Sequence, residues 1–306
     1  VADDSAAATE DTLTTLSGNV LDNDSDIDNG TVLQVATAGT VTGVYGSLTI
    51  ANDGSYTYTL NDGANVQALA EGQVVTERFE YVATDGIAGV TSSLQITITG
   101  TNDAPVVSAD TASVTEDSSV AASGNVLAND DDADRGAVLK VVAPGTYTGT
   151  HGTLTMQQDG SYTYSLNNPA ANVQSLAQGQ TVVDSFTYSA TDGTAQVAST
   201  LDITITGTND APVVTADAAQ LAASQAATTS GNVLANDTDV DAGTVLTVAS
   251  AGTLKGSYGE LTLNQDGSYV YTVDAAKTQS LGRDAQVVEH FLYVATDGIS
   301  KVASKL

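Results

Sequence analysis

Apolar and polar residues alternate along most of this chain with a step of two. Ser55-Tyr56-Thr57-Tyr58-Thr59-Leu60, Phe79-Glu80-Tyr81-Val82-Ala83 and Leu94-Gln95-Ile96-Thr97-Ile98 each place large side chains on one face and small polar ones on the other. That period belongs to half-buried β-strands, and the Thr, Val, Tyr and Ile that dominate these runs suit a pleated surface. Asp-Gly breaks such as Asp53-Gly54 and Asp85-Gly86 punctuate them at hairpin spacing. One patch breaks the alternation. Ala64-Asn65-Val66-Gln67-Ala68-Leu69, matched by Ala171-Asn172-Val173-Gln174-Ser175-Leu176, predicts a single helical turn. About seven short strands per hundred residues, with no helix long enough for a crossover, predict an all-β Greek-key sandwich.

The pattern occurs three times. Gly18-Asn19-Val20-Leu21 returns at Gly124 and Gly231, Asp53-Gly54-Ser55-Tyr56 at Asp159 and Asp266, and Thr101-Asn102-Asp103-Ala104-Pro105 at Thr208. A step of roughly 107 residues is too long for a solenoid unit and suits an independent domain. The expected units are 1–103, 104–210 and 211–306. Proline cannot donate to a ladder, so Pro105 and Pro212 should separate the last strand of one unit from the first of the next. Aromatic residues keep the register: Phe79, Phe186 and Phe291, then Tyr81, Tyr188 and Tyr293, then the Tyr56 and Tyr58 sets. They are expected in the three cores. Leu306 aligns with Leu201, so the third unit is expected to lack its last strand. A window cut from a longer array is the favoured explanation, and a strand donated by another chain the alternative.

Charge changes the picture next. The 306 residues carry 37 Asp plus Glu against 8 Lys plus Arg, a formal net charge of −29. Such a surface repels phosphates, which argues against nucleic acid and anionic membrane as partners and favours divalent cations. There is no cysteine. Metal is therefore the available staple for an extracellular β-protein. No apolar run reaches the roughly 18 residues of a membrane span. The start, Val1-Ala2-Asp3-Asp4, has no signal-peptide pattern, so any export signal is expected outside this stretch.

The acids recur rather than scatter. Each unit has Asn-Asp-x-Asp-x-Asp-x-Gly after its second strand: Asp24, Asp26 and Asp28; Asp130, Asp132 and Asp134; Asp237, Asp239 and Asp241. Alternate acids on a tight loop gather hard oxygens and suit Ca²⁺, which takes 6–8 of them. An Asp-rich turn capping its own backbone is the competing explanation. The loop is no EF-hand, because the twelfth position from Asp24 is Val35 rather than Glu. Asp85, Asp192 and Asp297 recur in Ala-Thr-Asp-Gly, and Asn102-Asp103 recurs as Asn209-Asp210. Glu10-Asp11 recurs as Glu116-Asp117, but Ala223-Ser224 stands there in the third unit.

Val114-Thr115-Glu116-Asp117, Ser123-Gly124-Asn125-Val126-Leu127-Ala128-Asn129-Asp130, Asp159-Gly160-Ser161-Tyr162-Thr163-Tyr164 and Thr206-Gly207-Thr208-Asn209-Asp210-Ala211-Pro212 resemble the bacterial VCBS repeat across the whole chain. That family recurs in tandem in giant secreted and cell-surface proteins, including type I-secreted, RTX-type adhesins. More distantly, Ala-Thr-Asp-Gly followed by Asn-Asp-Ala-Pro is similar to the end of a cadherin repeat. The resemblance implies that Asn102 and Asp103 meet Asp130, Asp132, Asp134 and Asp192 around calcium at the first junction. Asn209 and Asp210 would meet Asp237, Asp239, Asp241 and Asp297 at the second. Glu10 and Glu116 would close the sites from the preceding unit. The Leu-Asp-Arg-Glu motif of cadherins has no counterpart, so one or two ions per junction are expected rather than three.

Function follows as an expectation: a calcium-rigidified spacer of a bacterial surface or secreted adhesin, serving adhesion or biofilm formation outside the cell. Its partners would be calcium ions and neighbouring repeats, with homotypic assembly into a filament or surface layer as the alternative and a glycan-binding module the weaker one. An enzyme is not expected. His151 replaces Tyr45 and Tyr258 in register, His290 aligns with Arg78 and Ser185, and no nucleophile elbow or phosphate loop occurs.

Overall fold

A computed structural model describes the chain except residue 29, residues 223–226 and residue 283. Ala223 and Ser224, which interrupt the Glu-Asp recurrence, therefore lie outside the described residues. The two-residue alternation is what packs each unit. Strand Val74–Thr84 buries Glu77, Phe79, Tyr81 and Ala83 and turns the intervening side chains outward. It pairs along its full length with Gly89–Thr99, from Val74 opposite Thr99 to Thr84 opposite Gly89.

Each of the first two units is a pair of four-stranded sheets. In the first, one sheet runs Asp4–Thr9, Gly89–Thr99, Val74–Thr84, Gln34–Val35; the other runs Thr15–Asn19, Ser55–Leu60, Gly46–Ile50, Gly39–Thr42. The opening strand joins its neighbour in parallel, Asp4 opposite Leu94 through Thr9 opposite Thr99. The second unit repeats the arrangement, with Asp110–Thr115 parallel to Gln196–Thr206. The expected helical turn is present as Ala64–Gln67 and Ala171–Gln174, and the third unit has one at Ala275–Thr278.

The recurrent motifs earn their places in the packing. A Cβ on Gly18, Gly124 or Gly231 would lie 2.8 Å from the ring or hydroxyl of Tyr56, Tyr162 or Tyr269, so only glycine lets these rings cross the strand. The following Asn latches two turns together. Asn19 Nδ2 donates to Asp53 O at 2.8 Å while its Oδ1 accepts from Leu21 N at 2.8 Å, and Asn125 and Asn232 repeat both bonds. Val20, Val126 and Val233 then sit fully buried. The aromatic register closes the cores: the rings of Tyr58 and Phe79, Tyr164 and Phe186, and Tyr271 and Phe291 lie 5.9, 6.0 and 5.8 Å apart.

The third unit differs in one sheet. Phe291 and Leu306 exchange backbone hydrogen bonds beside the last paired residues of its ladder, Leu292 and Lys305. Among the described residues no opening strand forms there, and the sheet has three strands: Thr247–Val248, Leu292–Thr296 and Lys301–Lys305. Phe291 is half-buried, whereas Phe79 and Phe186 are buried.

His151 is built into the second core's edge. Its Nδ1 lies 2.9 Å from Asp184 Oδ1, and Asp184 also accepts from Thr150 N, His151 N and Tyr164 Oη. Units one and three place a longer acid, Glu77 or Glu289, at this position and a tyrosine, Tyr45 or Tyr258, at that of the histidine. His290 is exposed.

Candidate metal centres at the two junctions

The first unit ends in Gly100-Thr101-Asn102-Asp103, and the second unit's acidic loop folds back against it. Val106 and Asp131 exchange backbone hydrogen bonds, which fixes the linker alongside that loop. Arg135 N donates to Ala68 O at 3.2 Å, bringing the loop onto the turn after the first unit's helix. The second junction repeats both contacts, through Val213 with Thr238 and Ala242 N with Ser175 O at 3.0 Å.

The loop curls because Asp132 Oδ1 accepts from Asp134 N at 2.9 Å, as Asp239 does from Asp241 N at 2.9 Å. That curl turns the second acid onto the linker. Asp103 N donates to Asp134 Oδ2 at 3.1 Å, and Asp210 N to Asp241 Oδ2 at 3.1 Å. Asn102 Nδ2 donates to Asp192 Oδ2 at 3.0 Å, and Asn209 Nδ2 to Asp297 Oδ2 at 2.9 Å. From below, Glu10 Oε2 accepts from Thr101 N at 3.0 Å and Glu116 Oε2 from Thr208 N at 2.9 Å. Both glutamates are fully or almost fully buried.

Burial and like charge act together on these groups. Burial raises the Asp103 carboxyl above its ordinary value, and the charges of Asp11, Asp134 and Asp132 raise it further. Glu10 is raised by burial, against the Thr101 N–H, with Asp103, Asp11 and Asp134 adding to the rise. Asp134 is raised by burial, and the negative charges of Asp132, Asp192 and Glu71 act in the same direction. Burial also acts on Asp192, but the N–H groups of Thr194 and Ala195 and the Asn102 amide outweigh it and hold that carboxyl below its ordinary range. The second junction reproduces each direction at Asp210, Glu116, Asp241 and Asp297.

Three carboxylate oxygens at each junction are buried without a hydrogen-bond partner: Asp103 Oδ2, Asp132 Oδ2 and Asp134 Oδ1, then Asp210 Oδ2, Asp239 Oδ2 and Asp241 Oδ1. An unsatisfied buried acceptor costs about 1–3 kcal/mol, more when charged. Such oxygens are the donor set a hard dication takes, so these residues fit calcium. Among the described residues, no three acids or histidines are drawn into a closed cage. Mutual repulsion of like charges opposes a tighter approach.

Asp24, Asp130 and Asp237 make no contact with the linker acids, although Asp24 Oδ2 and Asp130 Oδ2 are likewise buried without a hydrogen-bond partner. Each precedes the curl and turns toward the start of its own unit, accepting from Ala2 N at 2.7 Å, Ser108 N at 2.9 Å and Thr215 N at 2.8 Å. There they lie beside Asp4, Asp110 and Asp217, whose carboxylates bind the hydroxyls of Tyr81, Tyr188 and Tyr293 at 2.7, 2.9 and 3.0 Å. Asp26, Asp28 and Asp85 occupy the matching end of the first unit, and Asp28 N donates to Asp26 Oδ1 at 2.7 Å. Asp85 caps its own turn, accepting from Ile87 N and Ala88 N at 2.7 and 2.6 Å.

Gln67, Glu71 and Gln174 border the junctions without having been singled out in the sequence, beside Asp11 and Asp117 of the recurrent Glu-Asp pairs. Gln67 Nε2 reaches Glu10 Oε1 and Asp11 Oδ1 at 3.3 and 3.4 Å, and Gln174 Nε2 reaches Glu116 and Asp117 at 3.2 Å each. The one signal that could have found the glutamines is their recurrence in the helical turn.

Known proteins agree with this architecture. The extracellular cadherin domains 1–4 of PcdhgB3 superpose with a TM-score of 0.53 at 14% identity, covering 98% of this chain and 72% of that one. Domains 1–3 of mouse clustered PcdhgC3 give 0.51 at 15% identity, covering 100% and 97%. At these identities the likeness is one of fold. In sequence, the chain is 31% identical over 237 residues to the calcium-binding lectin RapA2 of Rhizobium johnstonii, covering 68% of this chain and 95% of that protein. A profile described as the bacterial cadherin-like domain matches three times, at residues 1–101, 102–207 and 209–305. That kinship is with non-enzymatic structural and adhesion modules. Matched from end to end, the chain belongs to the bacterial cadherin-like domain family.

Proposed function

We propose that this chain is a calcium-rigidified extender of a bacterial cell-surface or secreted adhesin, of the VCBS-bearing, RTX type, acting outside the cell in adhesion or biofilm formation. The observation that carries the reading is the set of partnerless carboxylate oxygens at both junctions, with Asp134 and Asp241 only 7% and 5% exposed. Asp103, Asp132, Asp134 and Asp192 with Asn102 would hold the ion at the first junction, and Asp210, Asp239, Asp241 and Asp297 with Asn209 at the second. Bound calcium supplies the positive charge that turns repelling acids into shared ligands. The chain's own part is to orient them: the loop curl presents Asp134, the linker N–H of Asp103 docks it, and buried Glu10 closes the lower side.

Neighbouring units then resist bending. With free calcium at a hundred times Kd, one occupied site adds about 2.7 kcal/mol to the bound state. The test is small-angle scattering of the whole chain in calcium and in chelator. A longer, narrower distance distribution in calcium supports the extender; identical curves reject it.

The relative's printed name favours a second reading, a calcium-dependent glycan-binding module. Its distinguishing result is calcium-dependent retention of the chain on immobilised bacterial polysaccharide.

A further inference from the structure

In each of the first two units the opening strand lies parallel to the strand that ends the unit. Asp4–Thr9 runs beside Leu94 to Thr99 over six residue pairs, and Asp110–Thr115 beside Leu201 to Thr206 over six. The buried Ala8 and Val114 seat these opening strands on their cores. The two strands by which the chain enters and leaves a unit are therefore hydrogen-bonded neighbours.

Direction matters when the ends of the chain are pulled apart. Tension enters a unit at the start of its opening strand and leaves at the end of its last one. In a parallel pair these points lie at opposite ends of one ladder, so the strands must slide past each other and all their bonds are loaded together. An antiparallel pair would bring both points to one end, where bonds open singly.

The ladder is pinned beyond its paired residues. At the exit, Glu10 N donates to Thr99 O and Glu10 Oε2 accepts from Thr101 N, both at 3.0 Å; Glu116 repeats the two bonds at 2.9 Å each. At the entry the units differ. Asp3 Oδ1 accepts from Ser93 N, Ser93 Oγ and Ser92 Oγ at 3.0, 2.8 and 3.2 Å, which carries the pairing one residue past Asp4. In the second unit Ala109 stands at that position, opposite Ser199 and Thr200, and its methyl group accepts nothing.

We propose that the first two units are shear clamps that bear tension along the chain, and that the Asp3 carboxylate makes the first the stronger. The source of the tension rests on the extender reading. The dependence on pulling direction rests on the ladders alone.

The test pulls the full chain in calcium with a single-molecule force probe. The sequence has no cysteine, so I87C, at a side chain 96% exposed in the hairpin before the last strand, gives a unique attachment. Held by its two ends, the chain shears its first unit. Held between the N-terminus and I87C, it has its opening strand peeled away from Asp4 onward, and the unit should break at a clearly lower force. Equal forces in the two directions would overturn the clamp. At fixed axial force, D3A should speed the unfolding of one unit by about threefold or more. A109D, which sets a carboxylate opposite Ser199 and Thr200, should slow the unfolding of a different one, and it serves if D3A weakens the resting fold in denaturant. Unchanged rates in both variants would overturn the role of Asp3. Identical scattering in calcium and chelator rejects the extender instead, and the two pulling directions still decide the clamp.

Discussion

Asp103 hands its backbone N–H to the Asp134 carboxylate at 3.1 Å, across the boundary between two sandwiches. Asp210 and Asp241 repeat the bond at 3.1 Å. The linker thus docks on the next unit's acidic loop through one hydrogen bond, while its own carboxylate faces further acids. Docking and repulsion act at the same place, and their balance is what a dication shifts.

Removing that loop acid separates the two effects. D134A/D241A loses the acceptor for the linker N–H and two partnerless oxygens. The calcium-induced rise in melting temperature should fall by more than half, with a much smaller change in chelator. Calorimetric melting with and without calcium measures both.

Acidification should stabilise the calcium-free chain before it destabilises it. Glu10, Asp103, Asp134 and their counterparts have folded-state values above their ordinary ones, so their ionisation works against folding. That penalty is complete above the raised values and fades as pH falls through them toward the ordinary 4.5 and 3.8. Asp85, Asp192 and Asp184 are lowered, and the stability they contribute is lost only on falling below 3.8. The melting temperature in chelator should therefore rise as pH falls from neutrality through the raised values, and drop once it falls below the ordinary aspartate range. In calcium the trend reverses over the upper range, because protons compete for the same oxygens. A chelator curve that only falls on acidification contradicts this.

G124A should disrupt the second unit alone. The added methyl would meet Tyr162 Oη at 2.8 Å, with ring carbons at 3.0 Å, beneath a buried core. Overpacking of this kind costs about 1–3 kcal/mol. Denaturant titration should show one of three transitions move, and G18A or G231A should each move a different one.

The His151–Asp184 pair should behave as a unit. Asp184 is buried with four donors around it, so D184A should cost about 3–5 kcal/mol. H151Y alone leaves the short acid without its imidazole partner. H151Y/D184E recreates the Tyr45–Glu77 arrangement of the first unit and should recover part of that loss. A double-mutant cycle in denaturant reads the coupling.

The fold was largely legible, and particular residues show why. Phe79, Tyr81 and Ala83 point inward because every second residue of a strand must, and that period is written in the chain. The surroundings of Asp24 were not legible. It sits two residues before Asp26 in a run of alternate acids, yet it accepts from Ala2 N and lies beside Asp4 at the start of its own unit. Asp11 and Gln67, 56 residues apart, meet because the helical turn folds over the opening strand's end.

By itself the sequence determined three β-sandwiches, their aromatic cores and the concentration of acid at their ends. These follow from local periodicity and from a repeat that leaves each unit its own core. Only the tertiary structure decided which carboxylates share a junction, because that depends on where sheet register and a short linker deliver groups some 30 to 90 residues apart. The curl brings Asp134 to the linker and leaves Asp130 against its own unit, and no pattern of residue types records it.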